Sequence, residues 1–173
     1  MNRRYLGDTY DAVKRMWQQI FEAWAPLYAE PRFVPDDLRE DFTRMTRIPV
    51  MTAGRRGMFS LFNDPDTGIR LPGQTNQHEG RTHVTIATIL RQLRVEGTRC
   101  VITFDQSHYR LRDMQTDEQH RVKMRALSDS GCFSFYYVSH APFLFAFPSA
   151  SLMKQARTLL VQAGIPIERF RTM

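Results

Sequence analysis

The stretch Cys100-Val101-Ile102-Thr103-Phe104, followed at once by Asp105-Gln106-Ser107-His108, decides how this chain folds. An uncharged run of strand length, rich in β-branched and aromatic residues, is the pattern of a strand buried on both faces. Both faces are covered only when helices lie on each side of the sheet. The sequence around the run supplies them. Upstream, Val84, Ile86, Ala87, Ile89, Leu90 and Leu93 recur at helical spacing and stop at Gly97. Downstream, Thr116 with Gln119 makes a capping-box signature for a helix running to about Ser128.

Further along, Cys132 to Val138 reads as a second buried strand, and Ser139-His140-Ala141-Pro142 turns the chain into a third, Phe143 to Phe147. Ser149 then caps a helix with Leu152, Met153, Ala156, Leu159, Leu160 and Ala163 on one face, and Ile165 to Phe170 is expected to close the sheet. In the N-terminal half, Arg4 to Gly7 is expected as a short strand. Asp8 opens an amphipathic helix with Ala12, Val13, Met16, Trp17, Ile20, Phe21 and Trp24 on its apolar face. A second helix is expected from Pro35-Asp36-Asp37 to Met45, and strands at Ile48 to Met51 and Met58 to Phe62. The turn Asp64-Pro65-Asp66-Thr67-Gly68 is expected to return as a hairpin through Ile69 to Leu71.

Strands alternating with helices predict one α/β domain over residues 1–173. It has three layers and a Rossmann-like, mostly parallel sheet, with one antiparallel hairpin at residues 132–147. The 173 residues suffice for a single core without disulfides. Lys plus Arg is 24 against 18 Asp plus Glu, a net charge of +6, which suits an anionic partner such as nucleic acid. No apolar stretch approaches the roughly 20 residues a membrane helix needs. The N-terminus has no apolar leader, and the two cysteines, Cys100 and Cys132, form no CxxC pair. A cytoplasmic protein with no membrane partner is the expectation. Homo-oligomers through the aromatic hairpin or through Trp17 and Trp24 are compatible with it.

Ligands of open α/β sheets bind beyond the carboxyl ends of the strands. Polar groups stand there in Gly7-Asp8-Thr9-Tyr10-Asp11 with Lys14, in Asp105-Gln106-Ser107-His108, in Ser139-His140, and in Asp64 and Asp66 if their strand is parallel. Asp8 is also an ideal helix N-cap, and Asp64 and Asp66 are ordinary turn residues. Carboxylates at the ends of different strands suit Mg2+ or Mn2+, which take oxygen ligands and activate water against phosphate esters. Asp8, Asp11 and Asp105 are the expected metal ligands. Asp8, Asp105, Ser107 and His140 are the catalytic candidates, and Lys14, Arg55, Arg56 and Arg110 would meet a phosphate substrate. Arg121, Lys123 and Arg125 read as a solvated helix face.

In placing Asp8 after a first strand and Asp105 after a central one, the chain resembles the PIN and NYN nucleases. That resemblance implies a compact α/β fold with aspartates holding Mg2+ or Mn2+ at the carboxyl edge, cutting RNA or DNA. Where those nucleases carry a late acidic pair, this chain has Ser139 and His140.

Two other classes fit the same residues. One is a metal-independent hydrolase, with Ser107 or Ser139 as nucleophile and His140 or His108 as base. The other is a non-catalytic module that binds nucleic acid or protein, using the aromatics of residues 132–147. The sequence has no GxSxG, GxxxxGK[ST] or GxGxxG motif. This excludes the usual α/β-hydrolase elbow, phosphate loop and dinucleotide fingerprint.

Overall fold

A computed structural model describes residues 6–74, 82–107 and 114–173. Helix α1 (Thr9–Phe21) leads to strand β1 (Leu27–Ala29) and helix α2 (Arg39–Thr46). Strands β2 (Phe59–Asn63), β3 (Gly68–Ile69) and β4 (His83–Val84) come next, then α3 (Ile86–Leu93), β5 (Thr98–Phe104) and α4 (Thr116–Ser128). Strands β6 (Phe133–Tyr137) and β7 (Phe143–Phe147), helix α5 (Ala150–Gln162) and strand β8 (Phe170–Arg171) complete the order. The main sheet is ordered β1-β2-β5-β7-β6-β8. Strands β1, β2 and β5 are mutually parallel, and β7 runs against both β5 and β6. Strand β6 therefore points the same way as β5, so four of the six strands share a direction and end at one edge. This is the mostly parallel α/β sheet with one antiparallel hairpin that the strand–helix alternation predicts.

Side-chain alternation along the strands builds two cores. Cys100, Ile102, Phe104, Phe135, Phe143, Phe145 and Phe147 face Trp17 and Phe21 of α1, Phe42 of α2, and Ala156 and Leu160 of α5. Trp17 meets the rings of Tyr137, Phe143 and Phe145 edge-on at 5.0, 5.7 and 5.4 Å, an arrangement that adds to area burial. On the other face Leu61, Val101, Tyr136, Leu144 and Ala146 meet Ile89 and Leu93 of α3 and Met124 and Leu127 of α4. The aromatic hairpin is thus covered on both faces, and only Phe133 at its start is 40% exposed.

Several local expectations change. Residues Gly68–Ile69 do not fold back on β2 but pair in parallel with His83–Val84, because the turn carries the chain across the sheet edge to Asp105. Ile48 to Met51 contributes one bridge, Ala29 to Val50, with the carbonyl of Pro49 accepting from Ala29. Leu27–Ala29, three residues too short to show periodicity, is a strand that the sequence reading passes over. The N-cap of α4 is Gln115, so Thr116 and Gln119 form no capping box; Gln119 donates to the carbonyl of Met114. The closing strand is confined to Phe170–Arg171. Leu6 and Gly7 form a turn, and the rest of the expected Arg4 to Gly7 strand lies outside the described residues.

Candidate functional site

The carboxyl ends of β2, β5 and β6 and the start of α1 meet at one edge. Asn63 pairs with Thr103, Phe104 with Phe143 and Tyr137 with Phe143, so Asp64, Asp105 and the Ser139-His140 turn follow the ends of neighbouring strands. The backbone N–H of Asp105 donates to the carbonyl of Pro142 (3.0 Å), and the ring of Tyr10 lies 5.3 Å from that of Phe104. The sequence candidates Asp8, Asp11, Lys14, Asp64, Asp105, Ser107 and His140 all belong to this edge.

Side chains there segregate into separate clusters. On the α1 face, Lys14 Nζ donates to Asp11 Oδ1 (2.9 Å) and Asp64 Oδ2 (2.8 Å), while Asp11 Oδ2 accepts from the N–H of Gly7 (2.7 Å). All three side chains are buried, and the ammonium also sits 5.9 Å from the Phe42 ring and 5.8 Å from the Phe104 ring. Burial pulls the Lys14 ammonium down, yet the charges of Asp64 and Asp11 outweigh it and hold the group above the ordinary lysine range. Asp8 stands apart from this pair as the N-cap, accepting from the N–H groups of Tyr10 and Asp11.

On the opposite face, Asp105 is fully buried and takes five hydrogen bonds. Oδ1 accepts from the N–H of Ile69 (2.9 Å), the N–H of Ser107 (3.1 Å) and Ser107 Oγ (2.7 Å). Oδ2 accepts from Lys123 Nζ (2.6 Å) and the Tyr136 hydroxyl (2.8 Å). Lys123 Nζ reaches Ser107 Oγ as well, at 2.6 Å. Burial disfavours the charged form of Asp105, but Lys123 and the Ile69 and Ser107 donors overcome it and hold the carboxyl below its usual range. Burial pulls Lys123 below the ordinary lysine range despite the attraction of Asp105, and pushes the Tyr136 hydroxyl well up. The His120 ring stacks on Tyr136 at 3.8 Å and 15°.

A third network joins β2, β5 and α3 and reaches the Glu30 carboxylate. Asn63 Nδ2 donates to Gln92 Oε1 and Thr103 Oγ1, and Gln92 Nε2 donates to Asn63 Oδ1 and Glu30 Oε2.

The edge therefore does not assemble the expected metal ligands into one set. Asp105 has both oxygens engaged on the α4 face. Asp11 is ion-paired with Lys14 on the α1 face, and Asp8 caps its helix. Among the described residues, no group of three or more His, Cys, Asp or Glu is placed to hold a metal ion. Arg55 and Arg56 stand before the first residue of β2, at the amino edge, about 17 Å away along a five-residue strand. There the Arg55 guanidinium stacks on Tyr28 at 3.9 Å. His108 and Arg110 lie outside the described residues. Ser139 Oγ is taken up by its own turn, exchanging hydrogen bonds with Ala141, and His140 is exposed.

Sequence reading missed Lys123, which is not on a solvated face but fully buried. The available signal was its place among His120, Met124 and Leu127, the buried residues of α4. Tyr136 was read as core, and its hydroxyl role was not legible.

Compared with known proteins, the chain matches no family model, no curated protein and no solved structure.

Proposed function

We propose that the chain is a hydrolase whose reaction takes place at the carboxyl edge of the sheet, and that it cuts phosphodiester bonds of nucleic acid. One observation carries this reading: both buried lysines of the edge, Lys14 and Lys123, are locked into carboxylates just beyond the ends of β2 and β5. Apolar residues of similar volume would serve stability as well or better, because taking ions out of water costs more than a buried pair commonly returns. Charges retained at the edge where α/β sheets bind ligands argue for chemistry there. The net charge of +6 supports an anionic substrate.

Asp105 has both oxygens engaged and Asp11 is held by Lys14, so these residues do not fit a preformed Mg2+ or Mn2+ site. Among the described residues, the polar groups of the edge that are not buried include Asp8, Tyr10, Asp66, Gln106 and the exposed His140.

The test is cleavage of fluorophore-labelled single-stranded and duplex RNA and DNA by the purified chain, with and without chelator. Cleavage that falls at least tenfold in both Asp8→Asn and His140→Ala supports the edge as the active site. Salt-sensitive binding without cleavage makes the protein a nucleic-acid-binding module instead.

A further inference from the structure

We propose that the groove between the end of α1, the edge strand β1 and helix α2 binds a nucleoside monophosphate, with the phosphate on Arg47 and the base edge on Gln18 and Glu22. This goes beyond the reaction proposed above and does not rest on it. The groove has a volume of about 780 Å³, within the range of small-molecule sites. Gln18 and Glu22 line it from α1, and Arg39, Glu40, Arg44 and Arg47 from α2 and its end. None of these residues belongs to the Lys14 or Lys123 clusters.

The first observation is an unused donor. Gln18 is 7% exposed, and its Oε1 accepts from the N–H of Leu27 at 3.0 Å. Its amide nitrogen has no acceptor among the described residues, so a residue more than nine-tenths buried offers two N–H bonds to the groove. Glu22 stands at i+4, on the same face of α1. A donor beside a carboxylate matches a base edge that sets a carbonyl beside N–H groups. Guanine, with O6 next to N1–H and N2–H2, satisfies both and meets the carboxylate bidentately. The second observation is Arg47, which ends α2 in the left-handed conformation with φ of 64°, alone among the described non-glycine residues. Glycine or asparagine is the usual occupant of such a position. Arg44 already supplies basic charge to the last turn of α2. Arg47 is exposed, and among the described residues no carboxylate pairs with it. A disfavoured backbone retained for a free guanidinium points to an anion. Arg39 and Arg44 have only exposed pairs, with Asp36 and Asp41, which a phosphate can replace. Three arginines against Glu22 and Glu40 leave the groove net basic, enough for one phosphate, while the two glutamates oppose a polyanionic strand along its length.

The experiment is isothermal titration of the full chain with guanosine monophosphate, adenosine monophosphate, guanosine and inorganic phosphate. We expect saturable binding of guanosine monophosphate, roughly tenfold or more tighter than either guanosine or phosphate alone. Arg47→Gly should melt at or above the wild-type temperature, because glycine suits the left-handed position, yet bind roughly tenfold or more weakly. A merely structural Arg47 would not separate the two readouts. Glu22→Gln should erase the preference for guanosine over adenosine monophosphate. A 5′-phosphorylated oligonucleotide distinguishes the source of the ligand: tighter binding than the free nucleotide assigns the groove to a strand end, and weaker binding assigns it to the free nucleotide. No saturable binding of either monophosphate, or unchanged binding in a folded Arg47→Gly, overturns the site. Equal binding of the two monophosphates, unaltered in Glu22→Gln, overturns the base contacts.

Discussion

Gly68 rests directly against Asp105: a Cβ at Gly68 would run into Asp105 Oδ1 and stand 2.7 Å from the N–H nitrogen of Gln106 and 2.9 Å from that of Ser107. The Asp64–Gly68 turn and the Asp105–Ser107 turn are thereby one packed unit. Gly68 also has φ of +98°, a conformation that side chains resist. Gly68→Ala combines that strain with overpacking against backbone and should cost about 2–4 kcal/mol. For a domain of this size the melting temperature should fall by roughly 5–15 °C. A melt within about 2 °C of wild type would show that the two turns are not tightly packed.

Lys123→Met should be among the most damaging single substitutions. It leaves the Asp105 charge buried and without its lysine partner, at a cost of about 3–5 kcal/mol. Adding Asp105→Asn should recover part of that loss, since the remaining donors, Ile69, Ser107 and Tyr136, suit a neutral acceptor. Urea unfolding of both singles and the double gives the coupling. Strict additivity would mean the pair does not interact.

The acid limb of stability should carry Asp105. Its carboxyl is held below the unfolded value of about 3.9, so between the two values the unfolded chain binds more protons. That stabilisation is fully present above roughly pH 5 and is lost as pH falls through about 4 toward the folded value. Asp105→Asn should show a shallower loss between about pH 5 and pH 3 when urea midpoints are compared. Lys14 works on the other limb. Held above about 10.5, it stabilises fully below that pH, and the contribution disappears as pH rises through its folded value.

Asp8 separates capping from chemistry. Asp8→Ala should lose about 1 kcal/mol with the cap, whereas Asp8→Asn should keep nearly all the stability, because an amide oxygen accepts the same N–H bonds. Loss of cleavage in the stable Asn variant assigns the carboxylate to the reaction. Parallel loss of activity and stability across both variants restricts it to the cap.

With Asp11 tied to Lys14 and Asp105 fully hydrogen-bonded, millimolar Mg2+ or Mn2+ should leave the melting temperature unchanged in the absence of substrate. A ligand bound only by the folded state must raise it. A rise in the wild type that vanishes in the Asp8→Asn/Asp105→Asn double variant would reinstate the metal site.

What the sequence determined by itself is the layered α/β fold. CVITF, the FxFxF register of Phe143–Phe147 and the helical repeats around Trp17, Ile89 and Leu160 each bury one way only, and the strand ends place their polar neighbours at one edge. Tertiary structure decided what those neighbours do. Asp64 and Asp105 each follow a parallel strand, but successive side chains alternate faces, so one meets Lys14 on α1 and the other meets Lys123 on α4. Lys123 looks like a surface lysine in sequence because its partners stand 18 and 16 residues upstream, at Asp105 and Ser107. Strand order and helix facing, set by packing across the sheet, bring those distant groups together, and no local pattern records that meeting.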